Sequence, residues 1–160
     1  MRKVVANTTP ILSLIKINKL DLLEQLYGKI FIPKAVYIEI QQGKQKPHYE
    51  DLKNKSWIEI KTLKKPEKFE FVLNLDKGEA EAILLAKEIN ADLIIMDEIA
   101  GRRVARNIDS ALTGTLGVLL KAKEKGFIGS VGSLLRELKE EGIWISSKLE
   151  QKVLHLAKEK

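Results

Sequence analysis

The sequence predicts an α/β protein with a parallel sheet and helices on both of its faces. Short apolar runs alternate along the chain with longer segments in which apolar residues recur at helical spacing. Strands and helices that alternate in this way build parallel strands joined by helical crossovers. We find no internal repeat and no linker in the 160 residues, so we expect one domain spanning residues 1–160.

The first part of the chain is predicted to hold three strands and three helices. Gly28 and Gly43 are placed to end helices, and Pro33 suits the first turn of one. The polar and basic stretch 43–56 predicts an exposed loop. The predicted elements are a strand at 4–6, helices at 10–17 and 20–28, a strand at 29–32, a helix at 33–42 and a strand at 57–63.

The rest of the chain is predicted to be mainly helical, with two further strands. Its strongest helical pattern runs from Asp76 to Asn90, and the apolar run DLIIM follows it directly as a buried strand. Residues 143–145 are ambiguous, and Ser147 with Glu150 predicts a capping box for the last helix. The other predicted elements are helices at 67–74, 98–106, 115–126, 132–142 and 146–160, with a last short strand at 107–112.

The composition excludes several kinds of active site. There is no cysteine, so the chain has no disulfide, no thiolate nucleophile and no zinc–thiolate site. His48 lies in the polar loop and His155 lies near the C-terminus, and these are the only histidines. A histidine triad or a histidine-rich metal site is therefore not expected. A bound metal would be a hard cation held by oxygen ligands.

The charge favours an anionic partner. Twenty-eight Lys and Arg against twenty-two Asp and Glu give a net charge of +6 and a pI near 9.4. Nucleic acid fits this charge, although a lysine-rich surface explains it equally well. The basic start at residues 1–3 is followed by polar residues that interrupt a signal peptide, and no segment is long and apolar enough to cross a bilayer. We therefore expect a cytoplasmic protein with no membrane partner.

Two polar residues follow predicted strands. Asn7 comes after the first strand, and Asp97 comes after DLIIM. In an open parallel sheet the carboxyl ends of the strands form the usual ligand crevice, so these side chains meet there if the two strands are neighbours. For Asp97, a role in function and a role as the cap of the next helix are about equally favoured.

Two glutamates lie in helices that precede strands. Helical geometry turns Glu79 toward the core and Glu81 toward water. Asp76 and Glu79 also have capping-box spacing, and a structural role is favoured for Glu79 taken alone, although a cap can still present a carboxylate oxygen. Glu39 shares a largely apolar helix face, where a carboxylate is costly unless it is paired or binds a metal. Taken alone, Glu39 is better explained as a boundary residue that reaches solvent or a lysine.

Together these side chains predict a metal site. Converging carboxylates without His or Cys suit Mg²⁺ or Mn²⁺, ions that serve phosphate chemistry. A metal would neutralise the repulsion between the carboxylates, activate a water molecule and bind the scissile phosphate. Arg102, Arg103 and Arg106 follow Asp97 closely and can contact a nucleic-acid backbone, although each one alone fits a solvated helix face better.

Three blocks of the sequence resemble the PIN-domain superfamily, most closely its branch of small prokaryotic proteins predicted to bind nucleic acid, which are akin to VapC-type toxins. They begin VVANTTPILSLIKI, LDKGEAEAILLAKE and TGTLGVLLKAKEKG, and the middle block with its GEAEA and IIMDE elements is the most specific. The resemblance covers nearly the whole chain. It implies a three-layer α/β/α fold around a parallel sheet and a divalent-metal-dependent endoribonuclease. It also implies a frequent homodimer and an antitoxin protein as inhibitor.

The resemblance also assigns site residues. The second, third and fourth acids of the family match Glu39, Glu79 and Asp97, with Glu98 as an adjacent candidate ligand. A hydroxyl-bearing position beyond the last strand matches Thr113 or Thr115.

The first acid of the family, normally an aspartate, falls on Asn7. An amide oxygen can bind a metal, but the site loses one negative charge, on which Mg²⁺ affinity depends. Two readings stay open: a ribonuclease of toxin–antitoxin type with reduced or no activity, and a non-catalytic PIN-like module that binds RNA or a protein. Asn7 is compatible with natural loss of the acid and with engineered inactivation. A nucleotide-binding or phosphoacceptor domain ranks lower because no glycine-rich loop follows the first strand.

Overall fold

The computed structural model describes residues 2–64, 75–97, 102–103 and 110–160. These ranges contain five strands and seven α-helices. The strands are β1 (Val4–Ala6), β2 (Ile30–Pro33), β3 (Ile58–Lys61), β4 (Leu93–Ile95) and β5 (Ala111–Thr113). The helices are α1 (Thr8–Lys16), α2 (Leu22–Tyr27), α3 (Lys34–Gln41), α4 (Lys77–Glu88), α5 (Thr115–Glu124), α6 (Val131–Glu140) and α7 (Ser147–Leu156), and Leu52–Asn54 forms a 3-10 turn.

The five strands form one parallel sheet in the order β3-β2-β1-β4-β5. β1 is central, and it pairs with β2 on one side and with β4 on the other. Ala6 lies opposite Ile95, and Ile95 lies opposite Thr113. The strand order therefore aligns the carboxyl ends of β1, β4 and β5, which confirms that the first strand and the DLIIM strand are neighbours.

The side chains of the sheet alternate between two hydrophobic clusters. Val4 and Ala6 of β1 belong to the larger cluster, which also contains buried residues of α1, α2, α3, α5, α6 and α7. Val5, between them, belongs to the other cluster together with the apolar residues of α4. This period-two alternation explains why the strands are apolar throughout, since both faces are covered by helices. The predicted three-layer α/β/α arrangement is confirmed.

Several predicted boundaries shift. Helix α1 begins at Thr8, two residues earlier than predicted, because Pro10 is tolerated within a first helical turn. The last strand, predicted at 107–112, is observed at Ala111–Thr113, and it pairs with β4. The ambiguous residues 143–145 form a connection between α6 and α7. The predicted helix at 67–74 and most of the one at 98–106 lie outside the described residues, within which Arg102 and Arg103 are helical.

The predicted capping box of the last helix is wrong. Ser146, not Ser147, is the N-cap of α7, and its hydroxyl accepts a hydrogen bond from the Leu149 amide at 3.1 Å. The carboxylate of Glu150 instead forms an ion pair with Lys139 of α6. Two adjacent serines, Ser146 and Ser147, could each cap the helix. The ion pair between Glu150 and Lys139 of α6 accompanies capping by Ser146.

Within the described parts of the chain, no helix is both long enough and apolar enough to cross a membrane.

Candidate metal and nucleic-acid site

Asn7 stands at the carboxyl end of the central strand. Its amide N–H donates a hydrogen bond to the Ile95 carbonyl at 2.9 Å, which extends the β1–β4 pairing by one residue. Only 2% of the residue is exposed. It occupies the N-cap position of α1 with an extended backbone, but its side chain makes no capping hydrogen bond. Helix capping therefore does not account for the asparagine.

Asp97 lies two residues beyond Ile95 and is fixed by the start of α5. Its Oδ1 accepts a hydrogen bond from the Thr115 amide at 2.7 Å, and its Oδ2 accepts one from the Thr115 hydroxyl at 2.6 Å. A Cβ at Gly114 would overlap Oδ1 of Asp97. The glycine between β5 and α5 therefore leaves room for the carboxylate, and the threonine after it orients that carboxylate. The helix start that Asp97 was expected to cap lies outside the described residues.

Glu79 is in the first turn of α4 and is held there by Asp76. The Asp76 Oδ1 accepts a hydrogen bond from the Glu79 amide at 2.8 Å, as expected of an N-cap residue. Glu79 itself is buried, with 8% exposed, which confirms that it faces inward. The expectation that Glu81 faces water is wrong: it is half-buried, and its Oε1 accepts a hydrogen bond from the Ala35 amide at 3.3 Å. Because α3 begins after a proline that cannot cap it, Glu81 serves the exposed amides of that helix.

Glu39 extends from α3 across to α4. A Cβ at Gly78 would overlap Oε1 of Glu39 and would lie 3.1 Å from its Cδ and 3.4 Å from the Thr8 hydroxyl. The carboxylate of Glu39 thus packs directly against the backbone next to Glu79. The Thr8 hydroxyl is buried, and it has no hydrogen-bond partner among the described residues.

The structure places the predicted residues that it describes in two groups, one near Asn7 and one near Thr8. One group is Asp97 at the end of the neighbouring strand, and the other is Glu39 with Glu79 around the first turn of α4. The donors are carboxylate, amide and hydroxyl oxygens, which suit a hard divalent cation. In the described part of the chain, no three acidic or histidine side chains lie as close as a metal site requires. The donor types thus suit a divalent ion, but the three described carboxylates do not converge on one position, and Asn7 lies at the strand end next to the one that leads to Asp97.

The predicted nucleic-acid contacts divide between a cleft and the surface. Arg102 is half-buried and lines a cleft of about 540 Å³ together with Asp97, Thr113 and Thr115. Arg103 is exposed. Arg106 lies outside the described residues, as does Glu98, the adjacent candidate metal ligand.

A second cleft of about 480 Å³ begins on the other side of the site, at Glu39. Lys16, Lys46 and His48 also line it, and the His48 Nε2 lies 3.1 Å from Oε1 of Glu141. Each cleft thus combines one of the predicted acidic residues with cationic side chains. The lysines were not singled out from the sequence, since they lie in ordinary charged segments.

Sequence reasoning also missed Thr8, Gly78 and Gly114. Each lies next to a predicted site residue in the chain: Thr8 follows Asn7, Gly78 precedes Glu79, and Gly114 precedes Thr115. The small side chains in NTT, KGE and TGT were the available signal, since glycine marks places where another group approaches the backbone.

The family model DUF3368, a PIN domain, matches residues 3–159 of the chain. No curated protein and no solved structure matches significantly. The matched range includes every strand of the sheet and all of the candidate site residues. The chain therefore belongs to the PIN-domain family.

Proposed function

We propose that this chain is a divalent-metal-dependent endoribonuclease of toxin–antitoxin type, and that Asn7 lowers its activity below that of a site with an aspartate at the same position. The chain has the nuclease-type fold of PIN domains, which generally use divalent metals. The proposal adds the reaction, which is hydrolysis of phosphodiester bonds in RNA, and the ion, which is Mg²⁺ or Mn²⁺.

One observation carries the proposal. Strand order sets Asn7 beside the end of the strand that leads to Asp97, while the contact between α3 and α4 sets Glu39 against Gly78, the residue before Glu79. Residues from four distant parts of the sequence would thus supply the ligands from one side of the sheet. Oxygen ligands at two strand ends and on two adjacent helices are the donors that a metal-dependent phosphodiesterase needs, and this supports the proposal.

Each side chain has a role in this proposal. Asp97, Glu79, Glu39 and Asn7 would hold the metal, with Glu98 as a further ligand, and the bound ion would supply an activated water and neutralise charge on the scissile phosphate. Thr115 keeps both carboxylate oxygens of Asp97 in place. The neutral amide of Asn7 avoids a further buried negative charge at the end of β1, which in turn weakens attraction for the cation.

The same site suggests the partners. Arg102, Arg103 and Arg106 would contact phosphates of the RNA. Thr113 and Thr115 line the same cleft as Arg102 and Asp97. The resemblance to toxins that are often homodimers, and often inhibited by an antitoxin protein, adds both partners to the proposal.

The direct test is RNA cleavage in Mn²⁺ by the Asp97→Asn variant. Asparagine keeps the shape and still accepts the Thr115 amide, so the fold should be unchanged while cleavage falls by roughly a hundredfold. Asp92→Asn is the matched control, because Asp92 is exposed and its carboxylate accepts a hydrogen bond from the Lys3 amide at 2.7 Å. Equal cleavage by the two variants would contradict the assigned site.

A non-catalytic PIN-like module that binds RNA or a protein partner is the second candidate, and Asn7 favours it because the site has one negative charge fewer. It predicts that RNA binds with the same affinity with and without Mn²⁺ and is recovered intact. Metal-dependent cleavage that is lost in Asp97→Asn would exclude it.

A further inference from the structure

We propose that Trp144 is a stacking platform for a nucleotide base of single-stranded RNA that lies in the cleft leading away from Asp97. The inference rests on the proposed RNA substrate and names a subsite for it.

Trp144 is the most exposed large apolar side chain among the described residues. It is 84% exposed, whereas Trp57, the other tryptophan, is half-buried and packs against the core. An indole in water forgoes a large hydrophobic gain, so a surface tryptophan is often part of a binding site.

The backbone around Trp144 presents the ring rigidly. Ile143 and Ile145 are half-buried and pack against the larger hydrophobic cluster. The Ile143 amide also donates a hydrogen bond to the Leu138 carbonyl at 3.0 Å, and Gly142 adopts a positive φ of 89° as α6 ends. Because its neighbours are anchored on one side, the alternating chain directs Trp144 to the other side, toward solvent.

The cleft beside the ring connects it to the proposed catalytic side chain. Its volume of about 540 Å³ lies within the range of ligand pockets, about 300–1,000 Å³. Asp97, Thr113 and Thr115 line its polar end, and Ile143, Trp144 and Leu149 line its apolar end. The backbone of a nucleotide next to the scissile phosphate would therefore lie at the polar end of the cleft. Its base would then stack on the indole of Trp144.

Arg102 adds the positive charge that a phosphate requires. It lines the same cleft, and its Nε is buried and has no hydrogen-bond partner among the described residues. An exposed aromatic ring together with a guanidinium along one groove is the combination that binds single strands, since a base stacks on the ring and the cation binds the backbone. A hydrophobic protein segment would leave that guanidinium without an anion, so the charge favours RNA over a protein occupant.

The test measures binding without cleavage. In metal-free buffer with chelator, the probe is an unstructured single-stranded RNA oligonucleotide, and the comparison probe is the same backbone carrying abasic sites. We expect Trp144→Ala to weaken binding of the first probe by about tenfold and Trp144→Phe to restore most of the affinity, while neither changes binding of the abasic probe. Phe127→Ala is the matched control, because Phe127 is also exposed, at 43%, but does not line the cleft.

A second readout follows the ring itself. In a Trp57→Phe background, fluorescence comes from Trp144 alone, and the intact probe should quench it more than the abasic probe does. Equal affinity of Trp144→Ala and the unchanged protein for both probes would overturn the inference. So would a Trp144→Ala variant that loses self-association while its RNA affinity is unchanged, since the ring would then be a protein contact.

The outcomes separate this inference from the proposed function. If RNA binding depends on Trp144 but no metal-dependent cleavage occurs, the stacking subsite stands and the nuclease proposal fails. If cleavage depends on Asp97 but RNA binding does not depend on Trp144, the nuclease proposal stands and the subsite is overturned.

Discussion

Gly78 shows how a missing side chain shapes the site at the scale of a single residue. Because it has no Cβ, the carboxylate of Glu39 can pack against the first turn of α4 beside Glu79. The nearest atoms belong to the end of a flexible side chain, so a larger residue at this position would displace Glu39 rather than the backbone. Gly78 therefore positions a proposed ligand without binding the metal itself.

We predict that Gly78→Ala lowers Mn²⁺ affinity by about tenfold, because the added methyl group moves Glu39 away from Glu79. Stability should stay the same or rise by up to about 1 kcal/mol, since alanine favours helix more than glycine does. Calorimetric Mn²⁺ titration and urea unfolding measure the two effects. Gly129→Ala is the control, because a Cβ there meets nothing within 4 Å. Unchanged Mn²⁺ affinity in Gly78→Ala would remove Glu39 from the proposed ligand set.

Asn7 illustrates the limit of local reasoning about one residue. Its position after a strand and before a helix is that of a common N-cap, yet the side chain makes no capping bond. Burial explains why the identity of the residue matters: a carboxylate at this position would carry a charge into a site with 2% exposure, which is costly unless a cation compensates it. The amide is tolerated there with or without a metal.

At the scale of the secondary-structure elements, the start of α6 depends on the end of the chain. The Glu159 carboxylate accepts hydrogen bonds from the Val131 and Gly132 amides at 2.7 and 2.9 Å, from the Ser130 hydroxyl at 3.2 Å, and from Lys123 at 2.8 Å. The bond to Lys123 is the largest cause that lowers the pKa of Glu159, from 4.5 to about 2. An anion at a helix N-terminus satisfies the amides that lack helical partners. Glu159 thereby joins α5, α6 and the segment that follows α7.

We predict that Glu159→Gln destabilises the protein by about 1–2 kcal/mol at neutral pH, because it removes charge-assisted hydrogen bonds. Since the pKa of Glu159 is lower in the folded state, its contribution is complete above pH 4.5 and is lost as the pH falls toward about 2. Urea unfolding at several pH values should show the two proteins converging in acid. Glu124→Gln, at an exposed carboxylate 3.8 Å from Lys121, should have little effect at any pH. If the difference in free energy of unfolding between Glu159→Gln and the unchanged protein does not narrow in acid, this prediction is contradicted.

The type of most elements followed from the sequence, because periodicity reports which faces are buried. The strand from Leu93 to Ile95 and helix α4 were predicted almost as observed, since one is uniformly apolar and the other strongly periodic. The misjudged details depend on contacts between elements. The N-cap of α7 is Ser146 instead of the expected Ser147, and Glu81 accepts a hydrogen bond from the start of α3 instead of facing water. The sequence of a single element does not reveal either arrangement.

At the scale of the whole molecule, the sheet order determines which side chains meet. Because β1 lies between β2 and β4, Asn7 is near Asp97. The sequence alone predicted this only if the first strand and the DLIIM strand were neighbours. The contact of Glu39 with Gly78 and the bonds of Asp97 to Thr115 join segments far apart in the chain, so no local pattern predicts them. The residue types of the site could thus be chosen from sequence, whereas the glycines and threonines that hold them required the fold.

The measurement that tests the central claim most directly compares the chain with its Asn7→Asp variant in Mn²⁺ binding and in RNA cleavage. Restoring the charge at the end of β1 should tighten Mn²⁺ binding by about tenfold or more and should raise the cleavage rate. Asn54→Asp adds the same charge at an exposed position away from the sheet edge and should change neither. If neither the chain nor Asn7→Asp binds Mn²⁺ or cleaves RNA while Glu39, Glu79 and Asp97 are intact, the account of a metal-dependent nuclease is contradicted.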